Sequence, residues 1–173
     1  RPKPAVFSGS AWPDSENWEK SLAPHFEEAS RMLGVVRNPV LGDADLALCA
    51  LGERLCVKDT FHPTRVGVFF GKPGEVDQDP YFSGEGPERA GCMLCGGCMV
   101  GCRHNAKNTL DKNYLFFAEK WEAKIFAQLT ADRITSLGRE GYLVETVQST
   151  SWLRKKGPSV MAKRVVCAAG VLG

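Results

Sequence analysis

The feature that most constrains this chain is a glycine-rich run that carries four cysteines. They follow the spacing C-x2-C-x2-C-x3-C at Cys92, Cys95, Cys98 and Cys102. Spacers this short can wrap thiolates around a single ion or cluster, and the interspersed glycines let the backbone bend sharply and aim N–H groups at sulfur. The run therefore predicts an irregular connection that serves as a thiol site.

The spacing is the one that bacterial ferredoxins use to hold iron–sulfur clusters. The proline that usually follows the fourth cysteine is replaced here by Arg103, and the chain has a single run, so Cys102 would have to bend back or a remote ligand would be needed. A zinc ion held by four thiolates, local disulfides and free thiols stay open as alternatives. All four cysteines are candidate metal ligands.

Three further cysteines lie in apolar stretches, and we expect them to be small buried hydrophobic residues. They are Cys49, Cys56 and Cys167. An odd total of seven, with four crowded together, does not suit an evenly spread disulfide framework.

Charge and composition narrow the class of protein. Residues 1–90 carry 10 basic and 14 acidic side chains, whereas residues 91–173 carry 12 basic and 6 acidic ones. This asymmetry allows a zinc-ribbon nucleic-acid binder as a minor hypothesis, but the basic residues are scattered and no nucleic-acid motif accompanies them, so we expect no such partner. A hydrophobic content of 43% excludes wholly disordered protein. No apolar run approaches the roughly 18 residues of a membrane helix, and we expect a cytoplasmic protein.

The first half of the chain predicts two helices, one strand and a loop. Residues 17–32 show helical spacing with a kink or restart at Pro24 and a C-cap at Gly34. A second helix, capped by Asp43 or Asp45, runs to about residue 55. Residues 64–70 are β-branched and aromatic, as in a strand, and the Gly/Pro-rich residues 71–87 predict a loop.

The second half predicts one helix and then strands. An apolar stripe indicates one continuous helix over residues 109–121, capped by Asn108 or Thr109, with Tyr114, Phe117 and Trp121 in the core. Short β runs follow at residues 124–129, 133–137, 142–147 and 160–161, with a tight hairpin at 138–141. After Arg164, residues 165–170 are continuously apolar and end in small residues. Residues 164–170 therefore show the pattern typical of a buried parallel strand whose end admits a flat ligand.

Several segments in this order are together specific. Two of them are Ala106-Lys-Asn-Thr-Leu-Asp-Lys-Asn-Tyr-Leu115 and Arg164-Val-Val-Cys-Ala-Ala-Gly-Val-Leu-Gly173. Together with stretches 18–26, 31–38 and 61–71 and the cysteine run, they resemble the glucose–methanol–choline (GMC) flavoprotein oxidoreductases. The similarity is to their bacterial cholesterol oxidase-like branch and covers nearly the whole chain.

The resemblance implies an α+β or α/β fold. We expect part of an FAD-binding parallel-sheet domain with an antiparallel β meander, and a helical, loop-rich substrate-side segment. The implied division is residues 1–90 on the substrate side, 91–106 as the cysteine loop and 107–173 in the FAD-binding domain. The sequence opens without Met and stops inside an apolar run, so we expect a central fragment that lacks the upstream G-x-G-x-x-G turn and the downstream catalytic His.

The implied function is oxidation of an alcohol, with sterol or steroid hydroxyls among the candidates, by hydride transfer to FAD. The electron acceptor would be oxygen or a redox partner, so both oxidase and dehydrogenase stay open. By family analogy the main chain around Ala131 faces the adenine, and Ala169 and Gly170 let the sheet approach the dinucleotide. We assign no catalytic residue and expect the fragment alone to be inactive. The alternative is an iron–sulfur or other metal-binding electron-transfer module built on the cysteine run.

Two residues depart from the family pattern. Relatives often have glycine in place of Asn105, and they tend to have glycine at the helix end where Glu122 stands. Asparagine tolerates a left-handed turn, whereas the glutamate calls for a different C-cap.

Overall fold

The protein is described from a computed structural model that covers residues 3–8, 16–153 and 155–170. The chain divides into two compact units, residues 1–123 and residues 124–173. Within the described ranges, no helix is both long and apolar enough to cross a membrane. The division into three segments expected from the sequence stays a prediction.

The first unit begins with the long helix α1, Trp18–Met32. Asn17 caps it, because its side-chain oxygen accepts a hydrogen bond from the Lys20 N–H at 3.0 Å. The helix runs through Pro24 without a restart, so of the two expected alternatives the kink stays a prediction. It ends in a Schellman motif, in which Gly34 takes a left-handed φ of +53° and the Val35 N–H donates to the Ser30 carbonyl at 2.9 Å.

The helix α2, Asp43–Arg54, has the expected extent, but its N-cap is Gly42 and not Asp43 or Asp45. The Asp45 carboxylate accepts a hydrogen bond at 2.9 Å from the Gly42 N–H, which fixes the start of the helix. The unit also contains two short antiparallel pairs: β1 (Val36–Arg37) with β2 (Arg65–Val66), and β3 (Val76–Asp77) with β4 (Arg89–Ala90). The predicted strand 64–70 is therefore regular over two residues only.

The helix expected over residues 109–121 is split in two. A 3₁₀ turn occupies Leu110–Lys112, and the helix α3 occupies Tyr114–Lys120. Asn113, between them, has φ −142° and ψ −95°, its side-chain N–H₂ donates to the Thr109 carbonyl and its side-chain oxygen accepts from the Tyr114 N–H. Because an asparagine side chain can replace helical backbone bonds, the break falls at this residue, and Asn113 is the N-cap.

The break also changes which side chains are buried. Phe117 lies edge-on against Phe82, with ring centroids 4.9 Å apart, but Tyr114 is 44% exposed and Trp121 is 77% exposed. The prediction that all three aromatic residues of the stripe are core is wrong for Tyr114 and Trp121. The prediction assumes one uninterrupted helix with a continuous apolar stripe. Because of the break at Asn113, the α-helix is only about two turns long, and the stripe does not continue along it.

The second unit is a three-stranded antiparallel meander, as expected. Its strands are β5 (Leu129–Ser136), β6 (Tyr142–Gln148) and β7 (Val160–Ala162), with β6 in the centre. The hairpin between β5 and β6 closes where the Leu137 N–H donates to the Gly141 carbonyl at 2.8 Å. Gly141 is buried and has a φ of +107°, and a Cβ there would lie 2.4 Å from the Ala162 carbonyl oxygen, so only glycine fits.

Strand β5 includes residues 130–132, which lie between two separate predicted β runs, 124–129 and 133–137. Ala131 pairs with Thr146 and Arg133 pairs with Glu145, so Asp132 is the extra residue of a β-bulge. The alternation of side chains along the strand therefore shifts by one residue at the bulge.

Residues 164–170 form no strand, contrary to the expectation of a buried parallel strand. Every named strand pairing within the described ranges is antiparallel, so the parallel-sheet part of the fold class is not seen in them. A parallel strand is held by neighbours reached through crossover connections, and the segment has no such neighbour in the described part of its unit. Cys167, in this segment, is exposed rather than buried. Of the other two cysteines expected to be buried, Cys56 is exposed and Cys49 is half-buried.

Candidate functional site

Both ends of the cysteine loop are attached to one residue. The Phe69 N–H donates to the Ala106 carbonyl at 2.8 Å, and the Phe69 carbonyl accepts from the Cys92 N–H at 2.9 Å. The neighbouring Val68 and Ala106 are the buried apolar residues of the described core, at 7% and 1% exposed. The loop is thus anchored at its base to the best-packed part of the unit.

A cavity of about 440 Å³, here called the cysteine cavity, opens beside this loop. All four cysteines of the run line it, and so do His104 and Lys107. Its opposite wall is apolar and is formed by Val40, Val66, Val68 and Phe70. The four thiol-bearing residues therefore border one space.

Backbone N–H groups surround the sulfur of Cys102. The Ala106 N–H donates to it at 3.4 Å, and the N–H groups of His104 and Lys107 also hydrogen-bond to it. Partial burial by itself raises the pKa of the Cys102 thiol, but these donors and the Lys107 charge outweigh it and hold the pKa below its ordinary value. The Cys92 sulfur accepts one hydrogen bond, from the Leu94 N–H at 3.4 Å.

The same thiols do not converge on a point. All seven cysteines are free, and no group of three or more His, Cys, Asp or Glu side chains in the described ranges is placed to hold a metal ion. Cys95 and Cys98 are exposed, whereas Cys92 and Cys102 are half-buried. The geometry therefore gives no support to a cluster or zinc site, and the ligand role of the four cysteines stays a prediction.

A buried arginine, missed by the sequence analysis, holds the base of the site together. Arg89 is 1% exposed, and its Nε donates to the Asn108 side-chain oxygen at 2.8 Å. Its two terminal nitrogens donate to the carbonyls of Pro87, Glu88 and Lys112 at 2.7 to 3.1 Å. Burial lowers the pKa of the guanidinium from its ordinary value.

Asn108 extends this network to α1. It is 7% exposed, and its side-chain N–H₂ donates to the Leu33 carbonyl at 3.1 Å, next to the left-handed Gly34. A Cβ on Gly34 would lie 2.4 Å from the Tyr81 ring. One guanidinium and one amide thus join the loop before the cysteines, the turn before α3 and the end of α1.

A second polar centre organises the loop that precedes β4. The Asp79 carboxylate accepts four backbone N–H bonds, from Tyr81 at 3.0 Å, Phe82 at 2.9 Å, Gly84 at 2.7 Å and Gly86 at 3.0 Å. Partial burial raises the pKa of this carboxyl, but the four donors outweigh it and the pKa lies below its ordinary value. An aspartate followed by proline and two nearby glycines is a turn signal that could have identified this residue.

The three residues predicted to approach a dinucleotide lie in the second unit and are exposed. Ala131 is on β5, an outer strand whose named neighbour is β6, and it directly precedes the bulge. Ala169 and Gly170 are in the irregular segment, where Gly170 has a φ of +83° and a Cβ added to it would meet open space. Ala131 thus has a small side chain on an exposed outer strand, and its adenine contact stays a prediction, whereas no strand forms the cradle expected at residues 169–170.

Comparison with known proteins gives close matches along the whole chain. It is 44% identical over 181 aligned residues to a cholesterol oxidase of Acinetobacter baumannii, which covers 99% of this chain and 33% of that protein. It is 42% identical over 177 residues to cholesterol oxidases of two Mycobacterium tuberculosis strains, CDC 1551 / Oshkosh and H37Rv, at 99% of this chain and 31% of each protein.

The chain thus spans about one third of the length of the curated relatives it matches. No family model matches the sequence, and no solved structure matches it. The ordered motifs, from residue 18 to residue 170, and the identity along nearly the entire chain lead to the same assignment. The chain belongs to the glucose–methanol–choline oxidoreductase family, in its bacterial cholesterol oxidase-like branch.

Proposed function

We propose that this chain is part of an FAD-dependent oxidoreductase that oxidises an alcohol, with a sterol or steroid hydroxyl as the preferred substrate class. The observation that carries the proposal is the identity of 42–44% over 99% of the chain to proteins named cholesterol oxidase. When bound, the flavin accepts the hydride that the alcohol carbon loses. The electron acceptor that reoxidises it is oxygen or a redox partner.

The second unit contributes to binding the cofactor in this proposal. The main chain of Ala131 lies at the outer edge of β5, where N–H and C=O groups can read the edge of an adenine. The bulge at Asp132 turns the strand locally and sets Ala131 and Arg133 on opposite faces, because their partners Thr146 and Glu145 are adjacent on β6. Ala169 and Gly170 belong to the same proposed contact and would be ordered by a neighbouring strand.

The first unit contributes structure rather than chemistry. Its histidines His25, His62 and His104 match no catalytic position of the family motif, and we assign no catalytic residue here. Arg89 and Asp79 fix the loops around the cysteine cavity, and the first unit is proposed to form part of the substrate-side wall. A separate iron–sulfur electron-transfer function has no support in the geometry of the thiols.

The test uses the full-length protein. Purified protein is expected to show flavin absorbance and to release FAD on denaturation. Addition of cholesterol without oxygen should bleach that absorbance, and a sterol ketone that lacks the hydroxyl serves as the matched control. Consumption of oxygen with formation of peroxide identifies an oxidase, whereas turnover with an artificial acceptor alone identifies a dehydrogenase. Protein free of flavin, or flavin that no sterol or simple alcohol reduces, contradicts the proposal.

A further inference from the structure

The cysteine cavity has a pre-formed base. Val68 and Ala106 line it, and both are buried. Val68 pairs with Lys107 in an isolated antiparallel bridge, and the Asn108 N–H donates to the Gly67 carbonyl at 2.8 Å. The volume of about 440 Å³ lies within the roughly 300–1,000 Å³ that small-molecule sites occupy. The cavity therefore has both the size and the rigid support of a site for a small molecule.

Apolar side chains gather, uncovered, at the mouth of the cavity. Val40, Met93 and Leu94 line it and are 42%, 46% and 56% exposed. Leu94 has a left-handed φ of +54°, which a bulky residue seldom adopts, and its N–H donates to the Cys92 sulfur at 3.4 Å. Exposed apolar side chains that cluster around one opening indicate a binding surface.

The polar side chains of Asn38 and Lys107, which line the cavity, are bonded within the chain. The Asn38 oxygen accepts from the Val40 N–H at 3.2 Å, and the Lys107 ammonium donates to the Cys98 carbonyl at 2.8 Å. A main-chain segment placed in the cavity would leave water and find few partners for its N–H and C=O groups. A hydrocarbon needs no such partners, and thiols offer it a polarisable, weakly hydrogen-bonding surface. The lining therefore favours the apolar part of a small molecule over a piece of protein main chain.

We propose that the cysteine cavity binds the alkyl side chain of a sterol substrate and thereby selects sterols over steroids that lack this chain. The inference rests on the proposed function. The first unit supplies no catalytic residue, so the hydroxyl of the substrate reacts elsewhere, and the end remote from the hydroxyl enters this cavity. Val66, Val68 and Phe70 contact the alkyl chain from one wall, and Leu94 contacts it from the cysteine loop.

The experiment measures kcat/KM of the full-length protein for two substrates. Cholesterol carries the alkyl side chain, whereas dehydroepiandrosterone has the rings and the hydroxyl without it. The parent should prefer cholesterol by at least about tenfold. Leu94→Asp should lower kcat/KM for cholesterol about ten- to a hundredfold, mainly through KM, because a charge replaces an apolar contact. The value for dehydroepiandrosterone should stay within about twofold of the parent.

Val100→Asp is the matched control. It places the same charge in the same loop, at a residue that is 92% exposed and does not line the cavity. Both kcat/KM values should stay at those of the parent. Val40→Asp, on the opposite wall, repeats the test from another segment in case Leu94→Asp fails to fold.

A binding measurement separates recognition from chemistry. Equilibrium dialysis with a sterol ketone that keeps the side chain and lacks the hydroxyl should show the same loss of affinity in Leu94→Asp. Leu94→Met, which keeps an apolar side chain of similar volume, should bind this ketone within about threefold of the parent.

The outcomes distinguish this inference from the proposed function. Flavin that no sterol or simple alcohol reduces would contradict both. If the parent oxidises cholesterol, three results overturn this inference alone: equal losses for the two substrates, equal effects of Leu94→Asp and Val100→Asp, or a parent without preference for the side chain.

Two other occupants of the cavity would also overturn the inference. A Leu94→Asp protein that loses thermal stability but keeps the preference for cholesterol would show that another part of the full-length protein fills the cavity. Stoichiometric iron or zinc bound by the cysteines of the purified protein would show that a metal fills it.

Discussion

Replacing Arg89 by alanine should be among the most damaging single changes in the first unit. The side chain is 1% exposed and donates to the Asn108 amide oxygen and to three backbone carbonyls. Truncation would leave these acceptors buried without a donor and would open a void the size of the side chain. Removing one partner of a buried charged network costs about 3–5 kcal/mol, against a total stability of about 5–15 kcal/mol for a domain.

The measurement is urea unfolding of the full-length protein, with hydrogen exchange followed by mass spectrometry to assign the effect to residues 85–113. Arg89→Lys should lose nearly as much unfolding free energy as Arg89→Ala, because a single ammonium group cannot reach all the acceptors that lie around the planar guanidinium. Arg139→Ala, at the exposed turn between β5 and β6, is the matched control and should stay within about 0.5 kcal/mol of the parent. An alanine variant within about 1 kcal/mol of the parent, or a fully stable lysine variant, would refute the reasoning.

Two further predictions concern the Asp79 loop and the end of α3. Asp79→Asn should cost about 1–2 kcal/mol at pH 7, because four N–H groups lose a carboxylate acceptor that is partly exposed. The pKa of Asp79 is lowered in the folded state, so this stabilisation is present above the unfolded pKa of about 3.9 and is lost as pH falls through the folded value. The urea unfolding midpoints of the variant and the parent should therefore converge in acid. A difference between the midpoints that does not change with pH would contradict this prediction. Glu122→Gly should raise the free energy of unfolding by about 1 kcal/mol, because Glu122 has a left-handed φ of +67° at the end of α3. The control Glu119→Gly, inside the helix, should lower the free energy of unfolding. If Glu122→Gly is also destabilised, the backbone at Glu122 is not strained.

Local signals in the sequence are sufficient for the elements that short-range contacts determine. The extents of α1 and α2 follow from the apolar spacing, the hairpin at residues 138–141 follows from its glycines, and the structure confirms them. The two departures from the family pattern have different outcomes. Asn105 does adopt a left-handed φ of +57°. Glu122 also adopts a left-handed φ, of +67°, as a glycine would at this position, so the different C-cap that we expected is not found.

Elements that depend on distant residues cannot be predicted in this way. Arg89 is satisfied by acceptors up to 23 residues away, and Asn108 reaches across 75 residues to the Leu33 carbonyl. No periodicity or spacing reports such contacts. The same holds for residues 164–170, since an apolar run becomes a parallel strand only beside neighbours from elsewhere in the chain.

Strand β5 could not be predicted as one strand from its apolar pattern. Its apolar residues Leu129, Ala131 and Ile134 are separated by two and then three positions, which breaks the alternation expected of a strand and favours two separate runs. The bulge at Asp132 absorbs the odd residue. Ile134 pairs with Val144 and Ala131 with Thr146, so all three apolar residues point to one face of the sheet.

The hydrogen-bond network of Arg89 affects the order in which parts of the first unit unfold in acid. Its acceptors are an amide oxygen and main-chain carbonyls, none of which gains a proton at any pH a protein meets, and the guanidinium keeps its own. The Asp79 loop, in contrast, depends on a carboxylate that acid neutralises. Acidification through the lowered pKa of Asp79 should therefore loosen residues 79–86 while the cysteine loop and the end of α1 are still held to one another.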